Sequence, residues 1–344
     1  MRFSTGYGVA LLAVAAIFPV TSTANAAGKL TVYCSTQAEY CEIVAKEFEK
    51  SSGIKVAMIR KSTGETFAQV KAEQTNPKGD VWWGGTGDPH LQAAEEGLTE
   101  PYVSPMRSQL LEWALRPTEL SGDRTVGIYA GALGFGYNSE VLAKKGLPVP
   151  KCWEDLLKPV YKDEIQMANP NSSGTAYTAL ATIVQLFGED KGFEYMKGLH
   201  QNISQYTKSG SAPIKAAGRG ENTIGVTFLA DAVNIAVKGF PVKAVPPCEG
   251  TGYEIGGMSI IKGARNMANA KKFYDWALTA KAMELGAKVK QFETPANKNA
   301  AVPAGAPKLE DIKLIDYDFK KYGSSAERKR LLAKWDNEVK SLPK

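Results

Sequence analysis

Few residues in this chain are equipped for acid, base or metal chemistry. The two histidines, His90 and His200, lie outside any HExxH frame, so a zinc hydrolase would lack its usual ligands. The sequence contains no GxSxG elbow, no Walker-type phosphate loop and no complete GxGxxG fingerprint. Gly218-Arg-Gly220 comes nearest to the last and follows no convincing strand. His90, directly after Pro89, reads as a surface helix residue rather than a base, and adjacent acids such as Glu95-Glu96 are ordinary on solvated helix faces. No catalytic residue and no metal ligand is assigned, and no cofactor is expected.

The turns rich in Ser, Thr and Gly at strand ends carry more information. Ser35-Thr36 immediately precede one expected helix, and Ser172-Ser173-Gly174-Thr175 precede another. A helix start presents unpaired backbone N–H groups and a partial positive charge, and small hydroxyl side chains let an anion come close. An ordinary N-cap requires one Ser or Thr, which would explain Ser35-Thr36 taken alone. The second turn, with three hydroxyls and a glycine in four positions, exceeds that requirement. Gly85-Thr86, inside the run Gly84-Gly-Thr-Gly-Asp88, and Ser209, inside Lys208-Ser-Gly-Ser211, extend the same chemistry. Together these turns suit a phosphate.

The compartment is read from the first residues. Arg2 precedes an apolar run from Val9 to Val20, and Thr21 to Ala27 offers the small residues a signal peptidase needs. The run is too short to span a bilayer, which takes about 20 residues. Residues 1–26 are therefore expected to be a cleaved signal peptide and the mature protein to be free in the periplasm. Four cysteines, Cys34, Cys41, Cys152 and Cys248, form an even set in an oxidising compartment and read as structural disulfides. Of three possible pairings, Cys34–Cys41 with Cys152–Cys248 is favoured. The first pair would join a strand end to the next helix, and both members of the second flank proline-bearing connections.

The composition, 44% hydrophobic and 23% charged over 344 residues, is that of a globular protein. Its net charge of +6 favours an anionic ligand without demanding one. Nucleic acid is not an expected partner, since the basic residues are scattered among acids and form no stripe with interleaved aromatics.

Those turns must be positioned by a regular scaffold. Leu30–Cys34 alternates as a strand, Tyr40, Val44 and Phe48 repeat on one helix face, and Gly53 ends that helix. A strand at 54–59, a helix at 66–73 and a strand at 80–83 follow. This β-α-β-α-β alternation predicts a parallel sheet with helices on both faces. Val126 to Tyr137 reads as one long strand or a broken pair able to carry the chain into a second lobe. There a helix at Trp153, strands at 165–168, 224–228 and 242–245, and a helix at 176–187 are expected. Tyr253–Ile261 reads as the return crossing, followed by a helix at 269–286, with Trp335 and Val339 as buried anchors near the end. The first lobe is expected to comprise 27–125 with about 251–300, and the second about 126–250 with 301–344.

The segments Leu30-Thr-Val-Tyr-Cys-Ser35, Gly53-Ile-Lys-Val56, Gly134-Phe-Gly-Tyr-Asn138, Pro150-Lys-Cys-Trp-Glu-Asp-Leu156 and Met167-Ala-Asn-Pro-Asn-Ser-Ser-Gly-Thr175 resemble the family 1 extracellular solute-binding proteins of ABC importers, in their ferric-binding-like branch. The resemblance implies an α/β clamshell of the type II periplasmic binding protein class. Each lobe would be a mixed, mostly parallel sheet flanked by helices, joined to the other by crossing hinge strands. It also implies a monomer that hands its ligand to an inner-membrane permease and catalyses nothing. Iron-binding members use an adjacent tyrosine pair, whereas Tyr206 and Tyr253 stand singly here. The segments Tyr206–Pro213, Phe228–Ala232 and Pro247–Gly257 look closer to the hexose-phosphate subgroup, in which a His-Asp pair and a later glutamate contact sugar hydroxyls. Asp231 and Glu254 match the two acids, while Ala230 stands in the histidine position. The expected ligand is a phosphorylated small molecule, a sugar phosphate in this reading, cradled by Ser35, Thr36, Ser173, Gly174 and Thr175. A ferric-ion receptor with a synergistic anion is the second reading, and a periplasmic phosphatase a third.

Overall fold

The computed structural model describes residues 1–3 and 28–344. All but the first three residues of the expected export signal lie outside the described residues. Among the described residues no helix is long and apolar enough to cross a membrane.

The chain opens with three βα units: β1 (Lys29–Cys34), α1 (Ala38–Ser52), β2 (Lys55–Arg60), α2 (Thr63–Ala72), β3 (Val81–Thr86) and α3 (Gly87–Glu95). Tyr40, Cys41, Val44 and Phe48 form the buried stripe of α1, and Gly53, at φ 73°, closes it by donating its N–H to Glu49 O. Ser62 and Glu65 form a reciprocal capping box that starts α2 three residues earlier than the apolar pattern suggests. β1 pairs in parallel with both β2 and β3.

After the short β4 (Thr99–Glu100) and α4 (Glu112–Ser121), β5 runs unbroken from Val126 to Asn138. A second set of units follows: α5 (Ser139–Lys144), β6 (Ile165–Ala168), α6 (Gly174–Phe187), α7 (Glu189–Asn202), β7 (Ile203–Thr207), α8 (Ala212–Gly218), β8 (Ile224–Phe228), α9 (Leu229–Val237) and β9 (Val242–Val245). β10 (Tyr253–Ile261), α10 (Met267–Ala277) and β11 (Thr294–Pro295) then return the chain to the first set. The main strand order is β2-β1-β3-β10-β5-β8-β6-β7. β5 makes the continuity possible, because its first half, to Ala132, pairs antiparallel with β10 and its second half, from Leu133, with β8 and β9.

Two cores lie on either side of that crossing. One gathers Val32, Phe48, Met258 and Phe273, and the other Phe135, Trp153, Tyr177, Phe193 and Trp335. β5 contributes Val126, Ile128 and Tyr129 to the first and Leu133 and Phe135 to the second. A carboxy-terminal helix, Ser325–Trp335, packs into the second core, where Trp335 and Val339 are fully buried. The disulfides are Cys34–Cys41 and Cys152–Cys248.

Three sequence expectations are corrected. The segment after Trp153 makes a short 3-10 turn, Glu154–Leu157, rather than an α-helix. The helix expected over 269–286 breaks after Ala277, because Thr279 turns out of the helix and its hydroxyl caps a new one through Ala282 N–H. His90 is fully buried and not on the surface. It stacks on Trp82 at 3.8 Å, with Nδ1 2.9 Å from Ser259 Oγ and Nε2 3.2 Å from Gly84 O. Burial lowers its pKa to about 3, so a neutral imidazole fastens α3 to the sheet.

Candidate ligand-binding site

In a parallel sheet every strand that feeds a helix points its carboxyl end to the same edge, and ligands bind at that edge. Here six strands obey that rule: β1, β2 and β3 lead to α1, α2 and α3, and β6, β7 and β8 lead to α6, α8 and α9. Their turns meet around one cavity of about 50 Å³. The first set contributes Ser35, Thr36 and Gln37, then Arg60, Ser62 and Thr63, then Gly85 and Thr86. The second contributes Ser173, Gly174 and Thr175, then Ser209, Gly210 and Ser211, then Phe228 and Asp231. Tyr129 of β5, Glu254 of β10 and Glu293, just before β11, complete the lining on the crossing side.

Ser172 is the exception among the residues singled out from sequence. Its hydroxyl donates to Asn169 O and Lys208 O, at 3.3 and 3.0 Å, and its carbonyl accepts from Gly64 N–H at 3.1 Å. It pins the turn and touches α2 instead of lining the cavity. Gly64 has to be glycine there, since a Cβ would come within 2.6 Å of Asn171 O.

The hydroxyl-bearing residues are held in place. Trp82 Nε1 donates to Ser35 Oγ at 3.0 Å, and that oxygen is also 3.0 Å from Thr66 Oγ1. Arg60 donates from Nε to Thr36 O at 2.9 Å and from Nη2 to Ser209 Oγ at 3.2 Å. Gly85 N–H donates to the Tyr129 hydroxyl at 2.7 Å, and its φ of +85° is one that a side chain would strain. Thr86 Oγ1, fully buried, has no partner among the described residues, and a Cβ on Gly174 would collide with it. Behind Ser35 and Thr36 the Cys34–Cys41 bridge ties the strand end to α1.

The acids behave differently from one another. Asp231 Oδ1 accepts from Gln37 Nε2 at 2.6 Å, and Oδ2 accepts from Thr227 at 3.1 Å. The same Gln37 amide oxygen accepts from Lys215 Nζ at 2.7 Å and Ser211 at 3.3 Å. Both oxygens of Asp231 are thus engaged within the protein, and its main contact is to a residue of the first βα set. Burial raises its pKa against the opposing pull of Lys215, Thr227 and Gln37. Glu254 is 7% exposed and forms no side-chain hydrogen bond among the described residues. Burial first, then the neighbouring charges of Glu293, Asp231 and Asp88, push it well above the carboxylate range. Burial and Asp231 push Glu293 to about 8.

Sequence reasoning missed Gln37, Arg60, Thr63, Tyr129 and Glu293. Arg60-Lys-Ser-Thr63 repeats the pattern of a strand end followed by hydroxyls and so carried a usable signal. Glu293, a lone acid between Phe292 and Thr294, carried none.

Tyr206 and Tyr253 lie elsewhere. Tyr206 hydrogen-bonds His200 Nδ1 at 3.0 Å and packs edge-on against Trp335, while Tyr253 packs on Phe319. The cavity's own tyrosine, Tyr129, accepts the Gly85 N–H and has its pKa raised well above the ordinary value by burial and nearby carboxylates. Among the described residues, the grouping of metal-ligating type is Cys152, Cys248 and Glu249, whose thiols are consumed in a disulfide.

The profile of the bacterial extracellular solute-binding protein family matches residues 86–321. The chain belongs to that family. As a solute-binding protein it binds its cargo and does not transform it. A solved periplasmic binding protein, AfuA from Actinobacillus pleuropneumoniae with exogenous fructose 6-phosphate bound, is 50% identical. It superposes with a TM-score of 0.90 over 92% of this chain and 99% of its own. The periplasmic binding protein P5PA is 44% identical, with a TM-score of 0.88 over 91% of this chain and 99% of that one. A probable ABC transporter periplasmic-binding protein of Sinorhizobium fredii is 25% identical over 92% of this chain and 88% of its own length. The solute-binding protein accordingly has the two-lobed type II fold, its lobes joined by crossing strands.

Proposed function

We propose that this protein captures a phosphorylated small molecule, of the sugar phosphate class, and delivers it to an ABC permease in the inner membrane. The observation that carries the reading is the convergence of helix starts. The amino ends of α1, α2, α3, α6 and α9 border one cavity together with Ser35, Thr36, Thr63, Thr86, Ser173, Thr175 and Arg60. Backbone N–H groups, hydroxyls and one guanidinium supply what a phosphate needs. Charge-assisted hydrogen bonds contribute about 1.5–3 kcal/mol each against about 0.5–1.5 for neutral ones, so this group would dominate affinity. Fructose 6-phosphate in the half-identical AfuA supports the same class.

In this reading residues 1–26 are the cleaved export signal and the mature chain is a periplasmic monomer with no nucleic-acid partner. Residues 27–125 with about 251–300 form one lobe, and about 126–250 with 301–344 the other. Closure brings Gly64 to Ser172, Gln37 to Asp231 and Arg60 to Ser209. Calorimetric titration of the mature protein tests it: hexose phosphates should bind and the free hexoses should not. Equal binding of both, or a visible tyrosinate band on adding Fe(III) with citrate, would overturn it.

A further inference from the structure

Away from the hydroxyl turns, the cavity is weighted towards acids. It is lined by one cation, Arg60, against three carboxyl groups, Asp231, Glu254 and Glu293. Lys215 lies close by, and its Nζ is directed to Gln37. Of the three acids, Asp231 is compensated within the protein by Gln37, Thr227 and Lys215. Glu254 is not: nine-tenths buried, without a hydrogen-bond partner among the described residues, it faces the cavity from β10 where that strand pairs with Gly131 of β5. Glu293 lines the same space, and the hydrogen bond it receives comes from its own backbone N–H.

A phosphate dianion in this cavity keeps Glu254 and Glu293 protonated unless the ligand also brings a positive charge that takes the protons' place. An open, buried carboxylate is strongly destabilised, and a cation placed against it removes that penalty. Glu254 is thus an unpartnered, nine-tenths-buried polar side chain directed into the cavity, whereas the unpartnered Thr86 Oγ1 is sealed against Gly174 in its wall.

We propose that the ligand is a phosphate ester that also carries a cationic nitrogen, an ammonium or a protonated ring nitrogen, held by Glu254 and Glu293. This rests on the phosphate reading above and adds the chemistry of the rest of the molecule. Glu254 and Glu293 accept hydrogen bonds from the nitrogen, Asp231 stays with Gln37, and the hydroxyl turns hold the phosphate. A polyol phosphate leaves both acids protonated, gains no ion pair, and binds more weakly.

The test is calorimetric titration of the mature protein with two matched pairs: glucosamine 6-phosphate against glucose 6-phosphate, and phosphoethanolamine against ethylene glycol monophosphate. Inorganic phosphate serves as a further probe. The nitrogen-bearing member of at least one pair should bind about tenfold tighter or more, equivalent to about 1.4 kcal/mol. That ratio should fall below about threefold in Glu254→Gln and in Glu293→Gln. Phosphate esters that bind without preference for nitrogen in either pair would overturn this proposal and leave the phosphate reading standing. A preference that survives both substitutions would overturn the assignment to these two acids. If neither inorganic phosphate nor any of the four esters binds, the phosphate reading itself falls.

Discussion

The hydroxyl-rich turns and the carboxyl groups of the crossing strands border the same cavity but are built on opposite terms. The turns are finished before any ligand arrives: Ser35 is held by Trp82, Thr36 by Arg60, and Ser173 caps its own helix. Glu254, buried, and Glu293, half-buried, are unfinished, without compensating charge. Preorganised donors give affinity because little ordering remains to be done on binding. Unsatisfied acceptors give selection, since a ligand that fails to meet them leaves their desolvation uncompensated. On the proposed reading, one set governs how tightly a phosphate is held and the other which phosphate is chosen.

The largest test of this contrast is Gly174→Ala. The added methyl would strike Thr86 Oγ1, which belongs to the other βα set, so cradle and closure should fail together. Affinity for the best phosphorylated ligand should drop about a hundredfold or more, while the melting temperature without ligand should stay within a few degrees, because alanine suits a helix start. An unchanged affinity by calorimetry would show that Gly174 lies outside the cradle.

Arg60→Ala should cost about ten- to a hundredfold, the range expected for losing one charge-assisted contact to phosphate. The loss should be shared by all phosphate esters and leave their rank order intact. A reordering of ligands would mean that Arg60 reads the remainder of the molecule, and the division between the two sets would collapse.

Gln37→Ala removes the amide that links Asp231 to Lys215 and Ser211. Closure should weaken, with affinity down about tenfold and a smaller ligand-induced fall in the radius of gyration by small-angle scattering. Full compaction in the variant would show that Gln37 does not hold the lobes together.

The smallest expected effect is on stability against pH. Glu293, pushed up to about 8, binds a proton in the folded chain at pH values where the unfolded chain, with an ordinary glutamate near pH 4.5, has lost it. Stability of the ligand-free protein should therefore fall as pH rises from about 5 to about 8, and Glu254, shifted in the same direction, adds to the slope. Glu293→Gln should flatten the melting-temperature profile over that window. A parent profile that already matches the variant's would show that Glu293 is not held as a neutral acid.

How much of this was readable beforehand differs between the two sets for the same reason. Ser35-Thr36, Gly85-Thr86, Ser173-Gly174-Thr175 and Ser209 each sit between a strand and a helix that announce themselves by periodicity, and the strands at 165–168, 224–228, 242–245 and 253–261 lie where the sequence reading put them. Ser172 was misjudged because composition cannot distinguish a hydroxyl that faces a cavity from one turned onto Asn169 and Lys208. His90 was misjudged because its cover, Trp82 and Ser259, comes from other elements.

By itself the sequence determined what is local: the alternation of strands and helices, the helix caps, the hydroxyl-rich turns and the cysteines available for bridging. These depend on neighbours within a few residues, where backbone geometry and the spacing of apolar side chains decide the outcome. Only the tertiary structure decided that Gln37 reaches Asp231 across 194 positions of sequence. It likewise decided that Glu293 joins Glu254 in one cavity and that Tyr206 and Tyr253 stay outside it. Those outcomes follow from how β5 and β10 cross and how the two sets of βα units face each other, and no short stretch of residues encodes a distance between segments that meet only after the chain has packed.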